Sequence, residues 1–149
     1  MADKKFYTWK QIQTMSLYLA EQIDKDLNIP NYILGVSRGG CIPATIISHK
    51  LDVPMIPICV STRDHADTMI PDFPIGNEKD YYRFLVVDDI NDTGHTFSLL
   101  KKLLLKHGCQ YVDYAVLIDN EPSDFNVHYW AEKIDKSKDP AWIVYPWEV

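Results

Sequence analysis

The 149-residue sequence is short of cysteine, of cations and of long apolar runs, and each shortage removes a class of protein. Three cysteines, Cys41, Cys59 and Cys109, are odd in number and lack metal-like spacing, so they are expected to be reduced thiols packed as small hydrophobes rather than a disulfide framework. The apolar run Leu103-Leu104-Leu105 ends at once in Lys106 and His107, far short of the ~18 residues of a membrane span. Residues 1–10 (MADKKFYTWK) hold no apolar segment of a signal peptide, and with the free thiols this places the chain in the cytoplasm as an expectation. Lysine and arginine number 15 against 21 acids, a net charge of −6 that argues against nucleic acid or an anionic membrane as partner. Six glycines and nine prolines form no repeat, linker or low-complexity segment. What remains, 46% hydrophobic and 24% charged, is the composition of one globular domain spanning 1–149.

Periodicity supplies the elements. Thr8 with Gln11 three residues on is a capping box, followed by an apolar face of Ile12, Met15, Leu19 and Ile23 that stops at Asn28-Ile29-Pro30. A buried strand is predicted over 32–37, a turn at Arg38-Gly39-Gly40, and a helix to about Lys50 with Pro43 in its first turn. Residues 53–60 are apolar and β-branched but carry Pro54 and Pro57, which suits a strand near an edge or a broken one. The aperiodic stretch 61–82 predicts a lid, a binding loop or a hairpin whose alternation is obscured. Phe84 to Val87 is the strongest strand, a helix begins near Thr96 with Phe97, Leu100 and Leu104 on one face, and Tyr111 to Ile118 is a further strand. The tail from Asp119 to Val149 is weakly periodic. This order implies an α/β fold with a mostly parallel sheet flanked by helices.

Two loops occupy the carboxyl ends of strands, where such sheets bind ligands. In Ser37-Arg38-Gly39-Gly40 the glycines admit backbone N–H groups to a phosphate and Arg38 adds a bidentate fork, although the same four residues also describe a tight turn with a surface arginine. The second loop is more specific. Asp88, Asp89 and Asp92 place three carboxylates within five residues, which repel one another unless a cation or hydroxyls satisfy them. Thr93-Gly94-His95-Thr96 then meets a helix N-terminus, a site for phosphate. An acid pair followed by a phosphate cradle fits a sugar phosphate.

The stretch Phe84 to Phe97, FLVVDDINDTGHTF, resembles the phosphoribosyl-pyrophosphate signature of type I phosphoribosyltransferases. The similarity is greatest to the bacterial xanthine-guanine enzymes, since Tyr7-Thr8-Trp9, Val36 to Gly40 with Pro43, Asp64-His65, Trp142-Ile143 and Pro146-Trp147 fall in matching order. The resemblance implies a type I phosphoribosyltransferase-like fold with a C-terminal base-binding hood, acting as a Mg²⁺-dependent purine-salvage enzyme. Its partners would be phosphoribosyl pyrophosphate and a nucleobase, guanine, xanthine or hypoxanthine. Asp88 and Asp89 would bind the ribose hydroxyls, with Asp89 also the Mg²⁺ ligand. Asp92, Thr93, Gly94, His95 and Thr96 would hold the 5-phosphate, and Asp92 would face the imidazole ring of the base as the catalytic group. Arg38 and Gly39 would contact pyrophosphate, Trp142 would stack on the base, and the Ile143 backbone would read its edge. A homodimer or homotetramer is implied as well.

The sequence departs from that pattern in two places. Purine-type members carry a lysine just after the strand that follows the signature helix, donating to the purine 6-oxygen. Here the aligned residue is Asn120, or Glu121 if one residue is inserted; Asn120 offers a neutral donor to the base. Where the bacterial enzymes use an arginine in a mobile loop, the corresponding stretch here has no Lys or Arg from Asp64 to Glu78, with Arg63 just before it. The alternative is therefore a non-catalytic module of the same fold that binds nucleotide or phosphoribosyl pyrophosphate and regulates a partner.

Overall fold

Thr8 caps the first helix, α1 (Trp9–Lys25): its hydroxyl accepts from the Gln11 amide at 3.2 Å, and the Gln11 side chain accepts from the Thr8 N–H at 2.8 Å. Ile12, Leu19, Ala20 and Ile23 are buried along one face of it. The second helix, α2 (Cys41–Leu51), has Pro43 in its first turn, where a missing N–H breaks no helical bond. The third, α3 (His95–Lys106), buries Phe97, Leu100 and Leu104 and ends at His107 and Gly108, the latter at φ +82°. These elements belong to a computed structural model that describes residues 3–60 and 81–149. Nearly all of the loop expected over 61–82, Arg63 included, lies outside the described residues.

Among the described residues seven strands accompany the helices: β1 (Lys4–Phe6), β2 (Tyr32–Ser37), β3 (Met55–Cys59), β4 (Arg83–Asn91), β5 (Tyr111–Asn120), β6 (Tyr129–Ile134) and β7 (Trp142–Val144). Five form one sheet in the order β3-β2-β4-β5-β6, and every neighbouring pair is parallel. Alternation along β4 divides the core. Leu85 and Val87 pack with Ile12, Ile23 and Ile47 from α1 and α2, while Phe84 and Val86 pack with Phe97, Leu100 and Leu104 from α3. Helices thus cover both faces, which is why the central strands carry near-continuous apolar runs. The proline-bearing β3 lies at the sheet edge, as expected. Among the described residues no helix is long and apolar enough to cross a membrane.

Three differences from the sequence reading bear on function. First, β4 continues through Asp88 and Asp89 to Asn91 because β5 runs beside it, pairing Asp88 with Val116 and Asn91 with Asp119. The two acids are therefore strand residues rather than loop residues. Second, β6 adds a strand to the sheet, its alternation hidden by Glu132 and Lys133, charges of the kind that protect an edge. Third, β1 and β7 pair in parallel as a separate two-stranded sheet, each too short to give a periodic signal. The hood is thus built from both ends of the chain. Tyr7 ties it to β6 by donating to Glu132 at 2.9 Å, and the Tyr145 hydroxyl ties it to β4 by donating to the Asp89 carbonyl at 3.0 Å.

Candidate functional site

Strand β2 passes to β3 through α2, and its neighbour β4 passes to β5 through α3, so the two crossovers leave in opposite directions. A crevice opens beyond the carboxyl ends of β2 and β4, the position at which parallel sheets bind ligands. The turn after β2, which begins with a cis Ser37–Arg38 peptide, forms one wall. Arg38 is exposed there. Gly39 lies against Asp89 so closely that a Cβ would collide with Asp89 Oδ2, and only glycine lets the turn rest on that carboxylate.

The end of β4 forms the floor. Asp88 Oδ1 accepts the Asp89 N–H at 2.8 Å. Burial holds the Asp88 carboxyl well above the ordinary carboxylate range, and the charge of Asp89 pushes it the same way. Burial also raises Asp89, with a hydrogen bond to Asp88 and the Ile90 amide opposing and the charge of Glu148 adding. Among the described residues neither carboxylate has an ion-pair partner. Desolvated neighbouring acids of this kind are relieved by a cation or by hydroxyl donors. No cluster of three or more metal-ligating side chains gathers among the described residues. The donor chemistry fits magnesium all the same, because that ion uses one or two carboxylates and takes its other ligands from phosphate and water.

The N-terminus of α3 closes the far side. Gly94 caps it at φ +93°, a backbone conformation that side-chain-bearing residues rarely adopt. The Thr93 hydroxyl accepts the His95 N–H at 3.3 Å, and the helical ladder starts with Ser98 N–H to Gly94 O at 2.9 Å. The amides of Thr96 and Phe97 precede that ladder and point out of the helix with its positive dipole end. Residues 88 to 97 together line a cavity of about 250 Å³. The expected phosphate-binding residues Asp88, Asp89, Asp92, Thr93, Gly94, His95 and Thr96 are thus brought to one cavity, with Arg38 and Gly39 on the adjoining turn.

The expected base-binding residues are placed less uniformly. Trp142 is 62% exposed at the start of β7, a ring with an open face. The β1–β7 ladder uses the Trp142 N–H, donating to Asp3 at 2.7 Å, and the Val144 carbonyl, accepting from Tyr7 at 3.0 Å. Strand alternation turns the Ile143 N–H and carbonyl to the opposite edge, while its side chain is buried. Asn120, at 7% exposure, has its amide committed inside the protein. It donates to the Asp92 carbonyl at 2.9 Å and to Asp92 Oδ1 at 3.4 Å, and its own oxygen accepts the Lys136 N–H at 3.0 Å. A side chain so engaged is a bracket beneath Asp92 rather than a donor turned toward a ligand. The sequence reading did not single out Lys136, whose ammonium pairs with Asp92 Oδ2 at 3.0 Å and stands 5.9 Å from the centre of the Trp142 ring.

With this geometry in place, similarity to known proteins can be set beside it. The family described as "Phosphoribosyl transferase domain" matches residues 5–149. A xanthine-guanine phosphoribosyltransferase of Idiomarina loihiensis is 32% identical, over 97% of this chain and 86% of that protein. A namesake from Desulfotalea psychrophila is 29% identical, over 95% of this chain and 84% of its own. Among solved structures, a purine phosphoribosyltransferase from Pyrococcus horikoshii superposes with a TM-score of 0.83 at 33% identity, covering 99% of this chain and 95% of that one.

Proposed function

The chain belongs to the phosphoribosyltransferase family, and from that premise we propose that it transfers the phosphoribosyl group of phosphoribosyl pyrophosphate to a purine base in purine salvage, giving a nucleoside 5′-monophosphate and pyrophosphate. The observation that carries this reading is the crevice at the ends of β2 and β4, where two desolvated acids stand before a helix N-terminus whose Thr96 and Phe97 amides precede the helical ladder. The 5-phosphate fits the amides from Thr93 to Thr96, and the ribose hydroxyls fit Asp88 and Asp89 as donors to carboxylate oxygens. Arg38 and the Gly39 backbone face the place left for pyrophosphate.

Asp89 is the residue to hold Mg²⁺, which when bound supplies charge neutralisation on the leaving pyrophosphate. In the reaction a ring nitrogen of the base forms the bond to ribose C1 while the C1–oxygen bond breaks. The electron pair leaves with pyrophosphate, and the proton displaced from the base passes to Asp92 or water. Arg38 stabilises the departing anion, the acids position the sugar, and Trp142 offers a stacking face for the base. Cys41, Cys59 and Cys109 are not joined in disulfides, which supports a reducing compartment, the cytoplasm. Only Cys109 is buried as a small hydrophobe would be, Cys41 being half-buried and Cys59 exposed. Exposed aromatics such as Phe6, Trp9 and Trp130 support a homodimer or homotetramer, which sedimentation would test.

The deciding experiment is pyrophosphate release from phosphoribosyl pyrophosphate and Mg²⁺, scanned over guanine, xanthine, hypoxanthine, adenine and uracil. Release with the oxopurines supports the reading. Tight binding of phosphoribosyl pyrophosphate without release for any base overturns it in favour of a regulatory module of the same fold.

A further inference from the structure

Lys136 lies outside every motif named from the sequence, yet it is held as firmly as the residues that belong to one. Asp135 orders the turn around it, accepting the Ser137 N–H at 3.0 Å and pairing with Lys138 at 3.2 Å. Asn120 fixes its backbone, and Asp92 fixes its ammonium. The side chain is 23% exposed, and the Asp92 with which it pairs is 46% exposed, so the pair sits at the rim of the crevice rather than in the core. An ammonium has three donors and no acceptor, and among the described residues Asp92 is its one hydrogen-bond acceptor. A planar base resting on Trp142 would lie ~3.5 Å from that ring. An ammonium 5.9 Å from the ring centre is within reach of such a base.

We infer that Lys136 is the specificity-determining residue of the base pocket, donating to the exocyclic oxygen of a 6-oxopurine while Asp92 beside it faces the neighbouring ring nitrogen. The inference deepens the proposed transfer reaction and rests on it for the nature of the ligand. Its force comes from the pairing of a donor and an acceptor 3.0 Å apart next to an open aromatic face. On one edge of guanine or hypoxanthine, O6 and N7 are adjacent; adenine presents an amino donor in the place of O6. Adenine would set that amino group against an ammonium that can only donate, leaving both without a partner in a partly desolvated site. Asn120 is then a positioning residue: one side chain holds the Asp92 carbonyl and the Lys136 backbone together, fixing the spacing of the pair. The polar donor that the sequence places at Asn120 is supplied instead by a lysine one strand further on.

The test compares wild type with Lys136→Met and Lys136→Arg, using transfer kinetics for hypoxanthine and adenine and calorimetric binding of the 5′-monophosphates of inosine and adenosine. Wild type should favour the inosine nucleotide. Lys136→Met should lose about 10- to 100-fold in KM for hypoxanthine and in affinity for the inosine nucleotide. Adenosine monophosphate binding should hold or improve, and KM for phosphoribosyl pyrophosphate should stay within about twofold, which also reports that the variant is folded. Lys136→Arg should recover part of the loss because it keeps the charge. An unchanged hypoxanthine KM in Lys136→Met, or an equal loss for both nucleotides, overturns the assignment while leaving the transfer reaction intact. If wild type binds phosphoribosyl pyrophosphate but transfers to no base, the proposed function fails instead, and calorimetry of the two nucleotides still decides the role of Lys136.

Discussion

At the phosphate end of the crevice, ten consecutive residues from Asp88 to Phe97 line the cavity, and the groups turned to it include backbone amides at a helix terminus. At the base end, Asp92, Asn120, Lys136 and Trp142 come from separate segments, and the groups that meet a ligand are side chains. The electrostatics differ in the same way. Asp88 and Asp89 are acids kept without an ion-pair partner among the described residues, whereas Asp92 is already neutralised by Lys136. A backbone cradle cannot be retuned by substitution without changing the turn that makes it. A side-chain pocket can be retuned one residue at a time. In the proposed transfer reaction one chain would therefore join a fixed sugar-phosphate site to an adjustable base site, with Asp92 at the joint.

If the two ends are this separable, variants at one should spare the other. The largest effect is expected at Asp89. Asp89→Asn removes the charge that would face Mg²⁺ and the ribose hydroxyls, and should weaken phosphoribosyl pyrophosphate with Mg²⁺ by on the order of 100-fold, about 3 kcal/mol. Calorimetry with and without Mg²⁺ measures it, and the preference for inosine over adenosine monophosphate should persist in the variant. A loss of that preference would show the two ends to be one site.

A smaller effect is expected at Arg38, which is exposed on the turn after β2 and, in the proposed transfer reaction, meets the pyrophosphate. Arg38→Ala should lose one charge-assisted contact, roughly 1.5–3 kcal/mol, in binding phosphoribosyl pyrophosphate. Affinity for a nucleoside 5′-monophosphate, which carries no pyrophosphate, should change little. Equal losses for the two ligands, read by competition binding, would place Arg38 at the 5-phosphate instead.

The same division decides what was legible in the sequence. The phosphate end was legible because its parts are contiguous: an apolar strand, acids, a glycine and a helix start follow one another, while the cap itself, Gly94 at φ +93°, came only from the structure. Helix α1 was legible for a like reason, its capping box being local. Lys136 was not, since 44 residues separate it from Asp92 and only the parallel pairing of β5 with β6 brings them together. Asn120 was visible as a polar residue at a strand end, but the direction of its amide depends on that same pairing. The hood strands β1 and β7 are three residues each, and their pairing joins opposite ends of the chain.

The smallest effect expected is on stability, and it tests whether the bare acids exist for a ligand rather than for the fold. Burial and the neighbouring Asp89 hold the Asp88 carboxyl well above its ordinary range in the folded chain. Once the chain unfolds, the same group ionises near its ordinary value. Below that value both states are protonated and nothing is lost. As pH rises from the ordinary value toward the folded one, the unfolded chain has released its proton while the folded chain keeps it, so ligand-free stability falls across that window and stays lower above it. Asp88→Asn keeps an oxygen to accept the Asp89 N–H and removes the charge. It should therefore raise the melting temperature of the ligand-free protein at pH 7.5 by about 2–4 °C, on the order of 1 kcal/mol at this length, with the gain shrinking toward pH 4. Binding of phosphoribosyl pyrophosphate should weaken in the same variant. Lower stability at pH 7.5 would mean that the Asp88 charge has a structural partner in the fold, and the contrast between a bare acid pair and a neutralised Asp92 would fail.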